Sequence, residues 1–292
     1  MDGPVDKGRQ HQLVGITVAC VSLGTIIIIA RVCTRLFIVR SLGKDDWAMV
    51  LGWAATVGYM CQILLLARWG IGLPATENSM EDMVRMMKVT LAIQATYYFA
   101  VAFIKISIVL FYLRLVEAQT VVRRLCHGTI ALLAVFLGIC LTGTLAQCVP
   151  MEKQWDFIGA VPGKCINTTA FFYSTSAFNI ITDIWIICLP IRVLSKIHRP
   201  QREKIILFVV FGMGVLACVA SIVRLYSIRV FTLSQDPFYD GGPVNIWSMV
   251  EINVAIVCAS VPGTIPLASA DLSTPHETFP TTGSPTDLFA QH

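Results

Sequence analysis

Four charged side chains fall within long apolar runs of the sequence: Lys105, Asp183, Arg224 and Glu251. A charge inside an apolar span is costly, so such residues usually pair with one another and face the interior of a helix bundle. In the structural interpretation, buried side chains of opposite charge do no more than fix the packing of the helices. In the functional interpretation, they line a ligand pocket or act as a switch. Both the structural and the functional interpretation are compatible with the sequence.

The positions of these charges along their helices predict how they pair. Lys105 and Asp183 each lie nine residues before the next basic side chain, and Arg224 lies five residues before Arg229. Glu251 lies six residues into the last apolar run. At a rise of about 1.5 Å per residue, the matched depths predict the ion pairs Lys105–Asp183 and Arg224–Glu251. Because Asp183 and Glu251 fall at different depths, we do not expect them to form a catalytic pair of acids.

The elements that position these charges are long apolar segments. Of the 292 residues, 55% are apolar and 14% are charged, and the mean hydropathy is +0.71. A typical soluble domain has about 25% charged residues, so the composition excludes most soluble classes. A helix needs about 20 apolar residues to cross a bilayer. The sequence predicts an all-α, polytopic membrane protein with seven transmembrane helices, at about 13–30, 46–67, 86–113, 125–147, 170–194, 205–228 and 245–261.

The distribution of basic residues predicts the orientation in the membrane. The loops that follow the first, third and fifth segments together contain 12 Lys and Arg, against 8 on the other side, and cytoplasmic loops contain the excess of these residues. We therefore expect the N-terminus outside and the C-terminus in the cytoplasm, in a plasma membrane or an endomembrane. Residues 1–12 then form an extracellular segment and 13–268 the seven-helix domain. Residues 269–292, which are rich in Ser, Thr and Pro, are expected to be a disordered tail.

One loop on the predicted outer side contains two cysteines and a sequon. Cys148 and Cys165 lie in this loop, and disulfides persist on the oxidising side of a membrane. We predict a disulfide between them; the alternative is two free thiols near the interface. Asn167 begins an Asn-Thr-Thr sequon and is a glycosylation candidate.

At the start of the second segment, Asp45 and Asp46 are placed to cap the helix with their carboxylates.

The sequence contains no motif of a known catalytic or cofactor site. It has no HExxH, GxSxG, Walker or GxGxxG pattern, and its five histidines are scattered. The last apolar segment has no lysine that could hold retinal as a Schiff base. The sequence as a whole also has no Lys/Arg-rich block of the kind that binds nucleic acid. We expect no enzymatic activity, no cofactor, no bound metal and no nucleic-acid partner.

Five motifs in chain order are similar to those of one known family. They are Gly43-Lys44-Asp45-Asp46-Trp47, the run 105–114, Cys148 with Trp155 and Cys165, the run 183–191 and the run 250–262. Together they resemble the fungal rhodopsin-like seven-helix family, which includes Pth-type receptors and membrane proteins of secondary-metabolite gene clusters. The resemblance implies the seven-helix fold in a fungal membrane. We expect a receptor-like protein without retinal, with a small-molecule ligand and a heterotrimeric G protein as partners beside the lipid bilayer. The alternative is a non-catalytic accessory or transport-related protein of a secondary-metabolite biosynthetic cluster.

Overall fold

Seven long helices follow one another in the computed structural model, which describes residues 8–72, 78–115, 120–194, 201–234, 239 and 241–270. All seven are long and apolar enough to cross a membrane. The predicted all-α polytopic fold is therefore confirmed, and the chain is a multi-pass membrane protein. The helices are α1 Gly8–Cys33, α2 Lys44–Arg68, α3 Met80–Leu115, α4 Thr120–Leu145, α5 Thr168–Leu194, α6 Gln201–Leu233 and α7 Gly242–Ala270.

Several helices extend beyond the apolar runs that predicted them. Helix α1 begins at Gly8 and continues through a π-helical stretch, Thr34–Val39, while α7 reaches Ala270. The difference arises because hydropathy marks only the part of a helix that matches the hydrocarbon core, whereas helices continue into the polar interface. The predicted N-terminal segment and tail therefore overlap the ends of α1 and α7. Residues 1–7 and 271–292 lie outside the described residues.

Close packing between helices occurs where small residues meet large ones. Gly52 of α2 faces α3, where an added Cβ would lie 2.8 Å from Ile104 Cγ1. Ile104 is fully buried, as are Ile63 and Ile252. On the outside of the bundle large apolar side chains such as Ile222 are exposed, as expected of a surface that faces lipid.

The two ends of the bundle differ in structure. At one end, which we call the disulfide end, the loop between α4 and α5 contains two short strands, β1 Cys148–Val149 and β2 Lys164–Cys165, paired antiparallel. The other end, which we call the Asp45 end, contains the junction of α1 with α2. The structure does not assign either end to a side of the membrane, so the orientation stays a prediction.

Candidate functional site

Glu251 of α7 lies at the centre of a polar network inside the bundle. It is 3% exposed, and its Oε2 is 2.7 Å from Nε of Arg224 on α6. Its Oε1 accepts hydrogen bonds from the Tyr97 hydroxyl at 3.0 Å, the Asn179 amide at 2.6 Å and the Ser221 hydroxyl at 2.8 Å. Donors from three other helices thus compensate a carboxylate that would otherwise be costly to bury.

Lys105 of α3 forms the second predicted pair. Its Nζ is 2.9 Å from Asp183 Oδ1 on α5. It also donates to the backbone and side-chain oxygens of Asn179, at 2.9 and 2.6 Å, and to Thr182 Oγ1 at 2.9 Å. These four acceptors occupy the ammonium group, and all belong to α5. The depth comparison therefore identified both partnerships from sequence.

Ser221 and Asn179 join the two pairs into one network. The Ser221 hydroxyl lies 2.8 Å from Glu251 Oε1 and 3.2 Å from Asp183 Oδ2. Because it has one proton, it donates to one carboxylate at a time. The two carboxylates are therefore linked through a third side chain, and the expectation that they do not form a catalytic pair stays a prediction. Depth along a helix axis ignores the reach of a neighbouring side chain, and here one hydroxyl spans the gap.

A cavity of about 290 Å³ lies between this network and the disulfide end. Its wall is formed by residues of α2, α3, α5, α6 and α7, and most of it is apolar or aromatic. Among the described lining residues, Arg224 is the one with a charged side chain. Tyr97 lies beside it, and the centre of the Tyr97 ring is 4.5 Å from the guanidinium carbon of Arg224. Glu251 lies behind them. A mostly apolar cavity with a few polar groups is the usual form of a small-molecule site.

Lys105 does not line this cavity. It borders a separate pocket of about 20 Å³, together with Asn179 and Thr182. That volume suffices for about one water molecule. Of the four predicted charges, therefore, Arg224 reaches the large cavity, while Lys105 and Asp183 support the network behind it.

The loop between α4 and α5 lies over the disulfide end. Cys148 and Cys165 are joined by a disulfide and face each other across β1 and β2. Asn167 is exposed, and its Oδ1 accepts a hydrogen bond from the backbone N–H of Ala170 at 3.0 Å. This contact caps the start of α5 and leaves the question of glycosylation untested.

The same loop contributes to the cavity through Phe157, one of the lining residues. The neighbouring Asp156 organises the turn: its carboxylate accepts the backbone N–H of Val161 at 2.7 Å. This hydrogen bond holds the pKa of Asp156 below its usual value. Lys88 of α3 lies 5.0 Å from the centre of the Trp155 ring. The loop is thus tied to α3 and ordered where it meets the cavity.

A second charge cluster, at the Asp45 end, escaped the sequence analysis. The Arg31 Nη2 lies 2.9 Å from Asp45 Oδ2 and 3.0 Å from Asp46 Oδ1. Arg35 approaches the same carboxylates at 3.5 and 3.6 Å. Arg31 is 1% exposed and also donates to the Ala259 carbonyl of α7. Basic residues at the end of an apolar run ordinarily face lipid headgroups, so their type and position gave no signal of burial.

The capping role predicted for Asp45 and Asp46 is confirmed for Asp46, whereas the carboxylate of Asp45 has a different role. Helix α2 begins at Lys44, and Asp46 Oδ2 accepts the backbone N–H of Gly43 at 3.0 Å, which is a capping contact. Asp45 instead serves the arginine cluster, and its backbone carbonyl accepts the Ser107 hydroxyl of α3 at 2.7 Å. The two aspartates and Arg31 therefore join α1, α2, α3 and α7, because α1 and its π-helical continuation present two arginines about one helical turn apart.

Comparison with known proteins gives a consistent result. The profile described as Fungal rhodopsin domain matches residues 30–270. Receptor GIN3 of Arthrobotrys oligospora is 27% identical over 240 residues, which cover 82% of this chain and 57% of that protein. A SAT4 family membrane protein of Emericella nidulans is 31% identical over 186 residues, which cover 62% and 46%. Wortmanamides biosynthesis cluster protein C of Talaromyces wortmannii is 24% identical over 267 residues, which cover 89% and 70%. The chain spans about half the length of the first two relatives.

Proposed function

This chain belongs to the fungal rhodopsin domain family of seven-helix membrane proteins, and from that premise we propose a receptor-like function. The ligand is a small, mostly apolar molecule, and it binds in the 290 Å³ cavity. The main support is the construction of that cavity: five helices and Phe157 form an apolar wall with Arg224 at its inner side. The similarity to a protein named as a receptor supports the same function.

Binding is proposed without covalent attachment and without catalysis. A Schiff base would require an accessible amine, and the Lys105 amine is occupied by Asp183, Asn179 and Thr182. Acid–base catalysis would require a carboxylate that faces the substrate. Glu251 is enclosed by four donors behind the wall of the cavity. We therefore propose a receptor that uses neither retinal nor enzymatic turnover.

The polar network offers a route from the cavity towards the Asp45 end. Arg224 of α6 touches the ligand space, and its partner Glu251 on α7 is linked through Ser221 to Asp183 on α5. A ligand that moves α6 relative to α7 would change whether the Ser221 hydroxyl donates its hydrogen bond to Glu251 or to Asp183. We propose that such a shift reaches a heterotrimeric G protein, with the disulfide end outside and the Asp45 end in the cytoplasm.

The cavity is tested by filling it. Ile228 of α6 is 5% exposed and lines the cavity, whereas Ile222 of the same helix is 54% exposed. We would measure thermal unfolding in lipid nanodiscs with a panel of apolar metabolites, for wild type, Ile228→Trp and the matched control Ile222→Trp. The expected result is stabilisation of wild type and control and its loss in Ile228→Trp. Equal shifts in all three proteins would contradict binding in the cavity.

G-protein coupling needs a separate measurement. The stabilising compounds would be added to the protein reconstituted with a heterotrimeric G protein, and nucleotide exchange would be followed. Coupling predicts exchange that the same compounds accelerate and that Ile228→Trp abolishes. Exchange that no stabilising compound changes would contradict coupling while leaving ligand binding in place.

A second candidate function is a transport-related or accessory role in a secondary-metabolite cluster. It is favoured by the similarity to a protein named for the wortmanamides cluster over 89% of this chain. Flux of a stabilising compound through proteoliposomes separates the two candidates. A receptor gives accelerated exchange without flux, and a transporter gives flux that Ile228→Trp blocks.

A further inference from the structure

We propose that the ligand is uncharged and presents a hydrogen-bond acceptor, such as a ketone, ester or lactone oxygen, to Arg224. This inference rests on the proposed binding function and names the chemical class of its ligand. Three features of the cavity support it: the use of its hydroxyl protons, the position of the guanidinium, and the balance of buried charge.

Of the five hydroxyl groups that line the cavity, four donate their protons to acceptors of the protein, and the fifth, on Tyr98, lies 3.2 Å from Thr175 Oγ1. A ligand acceptor therefore gains little from them, because each hydroxyl has a single proton. The donations run from Tyr59 to Asn245 Oδ1, from Tyr97 to Glu251, from Ser248 to the carbonyl of Val244 and from Thr90 to the carbonyl of Met86.

Arg224 differs from these hydroxyls. A guanidinium has five N–H donors in a fixed fork, and the Nε of Arg224 contacts Glu251 at 2.7 Å. The plane of the group is supported by Tyr97, whose ring centre lies 4.5 Å from the guanidinium carbon. Nε faces Glu251 and the residue lines the cavity, and among the described residues no hydrogen bond occupies the terminal nitrogens, so these are the donors that we assign to a ligand acceptor. Charge-assisted hydrogen bonds of this kind are stronger than neutral ones.

The charge balance of the network disfavours a negatively charged ligand. Lys105 and Arg224 are each paired with a carboxylate, Asp183 or Glu251. Glu251 stays close to Arg224 because three further donors hold it there. A ligand carboxylate would add one uncompensated negative charge next to Glu251 in a medium of low dielectric constant, which is unfavourable. A neutral oxygen accepts the hydrogen bond without that cost.

The remaining surface of the cavity specifies an apolar body. Tyr98, Phe157, Phe172 and Phe231 supply aromatic faces. The volume of about 290 Å³ lies at the lower end of the range of roughly 300–1,000 Å³ typical of small-molecule pockets. A compact or medium-length apolar molecule with one carbonyl group fits both features.

The inference is tested with three ten-carbon probes: 2-decanone, decane and decanoate at about pH 8. For each probe we would measure the rise in unfolding temperature in nanodiscs and subtract the rise seen with Ile228→Trp, in which the cavity is filled. The quantity compared is the probe concentration in the membrane that gives half of the maximal remaining rise. The test variant is Arg224→Gln/Glu251→Gln, which removes both charges together and leaves neither one unpaired. The matched control is Arg85→Gln/Glu81→Gln, which makes the same changes in an exposed ion pair of 3.2 Å on α3.

We expect 2-decanone to act at about tenfold lower concentration than decane, the effect of one charge-assisted hydrogen bond. Decanoate should act more weakly than 2-decanone. The preference for the ketone should disappear in the Arg224→Gln/Glu251→Gln variant and persist in the control.

Tighter binding of decanoate than of 2-decanone would overturn the requirement for a neutral ligand. Equal action of the ketone and decane, with a cavity-dependent shift, would overturn recognition by Arg224 and leave the proposed function intact. If no probe stabilises the wild type more than Ile228→Trp, both claims are overturned for this class of molecule: binding in the cavity and recognition by Arg224.

Discussion

The Lys105–Asp183 pair makes a quantitative prediction about coupling inside the bundle. The perturbations are Lys105→Met, Asp183→Asn and the double variant. Removal of Lys105 leaves Asp183 Oδ2 with the Ser221 hydroxyl at 3.2 Å and deprives Oδ1 of an ammonium at 2.9 Å. The side chains are 5% and 14% exposed, so water compensates little of the loss.

The magnitude follows from burial and from the membrane reference state. Breaking a buried ion pair by removing one partner costs about 3–5 kcal/mol in soluble proteins. Inside a bilayer the unfolded state also finds polar partners, and measured interhelical bonds reach only about 1.7 kcal/mol. We expect each single substitution to cost roughly 2–4 kcal/mol. The double variant should cost less than the sum by about 1–2 kcal/mol.

The assay is reversible unfolding in lipid bicelles, with the free energy of unfolding of the four proteins combined in a double-mutant cycle. The control cycle uses Arg85→Met and Glu81→Gln, an exposed pair whose coupling should stay below about 0.5 kcal/mol. Single-variant costs that add to within about 0.3 kcal/mol in the Lys105–Asp183 cycle would refute the reasoning, because independent sites behave in that way.

Three further predictions concern other parts of the bundle, each measured by unfolding in the same bicelles. Gly52→Ala should lower the free energy of unfolding by about 1–3 kcal/mol through overpacking against Ile104. Gly15→Ala, where no atom lies within 4 Å of the added carbon, should cost nothing. Equal effects would contradict close packing of α2 on α3. Arg31→Met should cost roughly 2–4 kcal/mol by leaving Asp45 and Asp46 with Arg35 alone, against less than about 1 kcal/mol for exposed Arg85→Met; similar losses would mean that the cluster is solvated. Replacing Cys148 and Cys165 together by Ser should cost roughly 3 kcal/mol through the entropy of the loop closed by 17 residues, and a loss no larger than that of Cys33→Ser would show that the bond does not stabilise the fold.

Much of the fold was predictable because a membrane imposes simple length and polarity constraints. Seven apolar runs became seven helices; most of their ends were underestimated, and the end of α4 at Leu145 was overestimated by two residues. The resemblance drawn from five short motifs is confirmed by the family match over residues 30–270. The two ion pairs were also predictable, since charges at equal depth in a bilayer have few other partners.

The remainder of the site required three-dimensional packing. Ser221 and Asn179 are ordinary polar residues in sequence, and only the approach of α5, α6 and α7 shows that they connect the two pairs. Arg31 is buried because its side chain lies between the start of α2, where it contacts Asp45 and Asp46, and the Ala259 carbonyl of α7. The cavity is a volume left between five helices, and no residue type or spacing indicates such a volume.

The most direct test of the account is photolabelling in membranes with an aliphatic ketone that contains a diazirine group. Labelled positions would be identified by peptide mass spectrometry, with and without excess 2-decanone. Binding in the cavity predicts saturable labels that the competitor removes, on cavity residues such as Ile228, Phe231 and Tyr98, and their loss in Ile228→Trp. Labels confined to lipid-facing residues such as Val219 and Ile222, unaffected by competitor, would contradict ligand binding in the cavity.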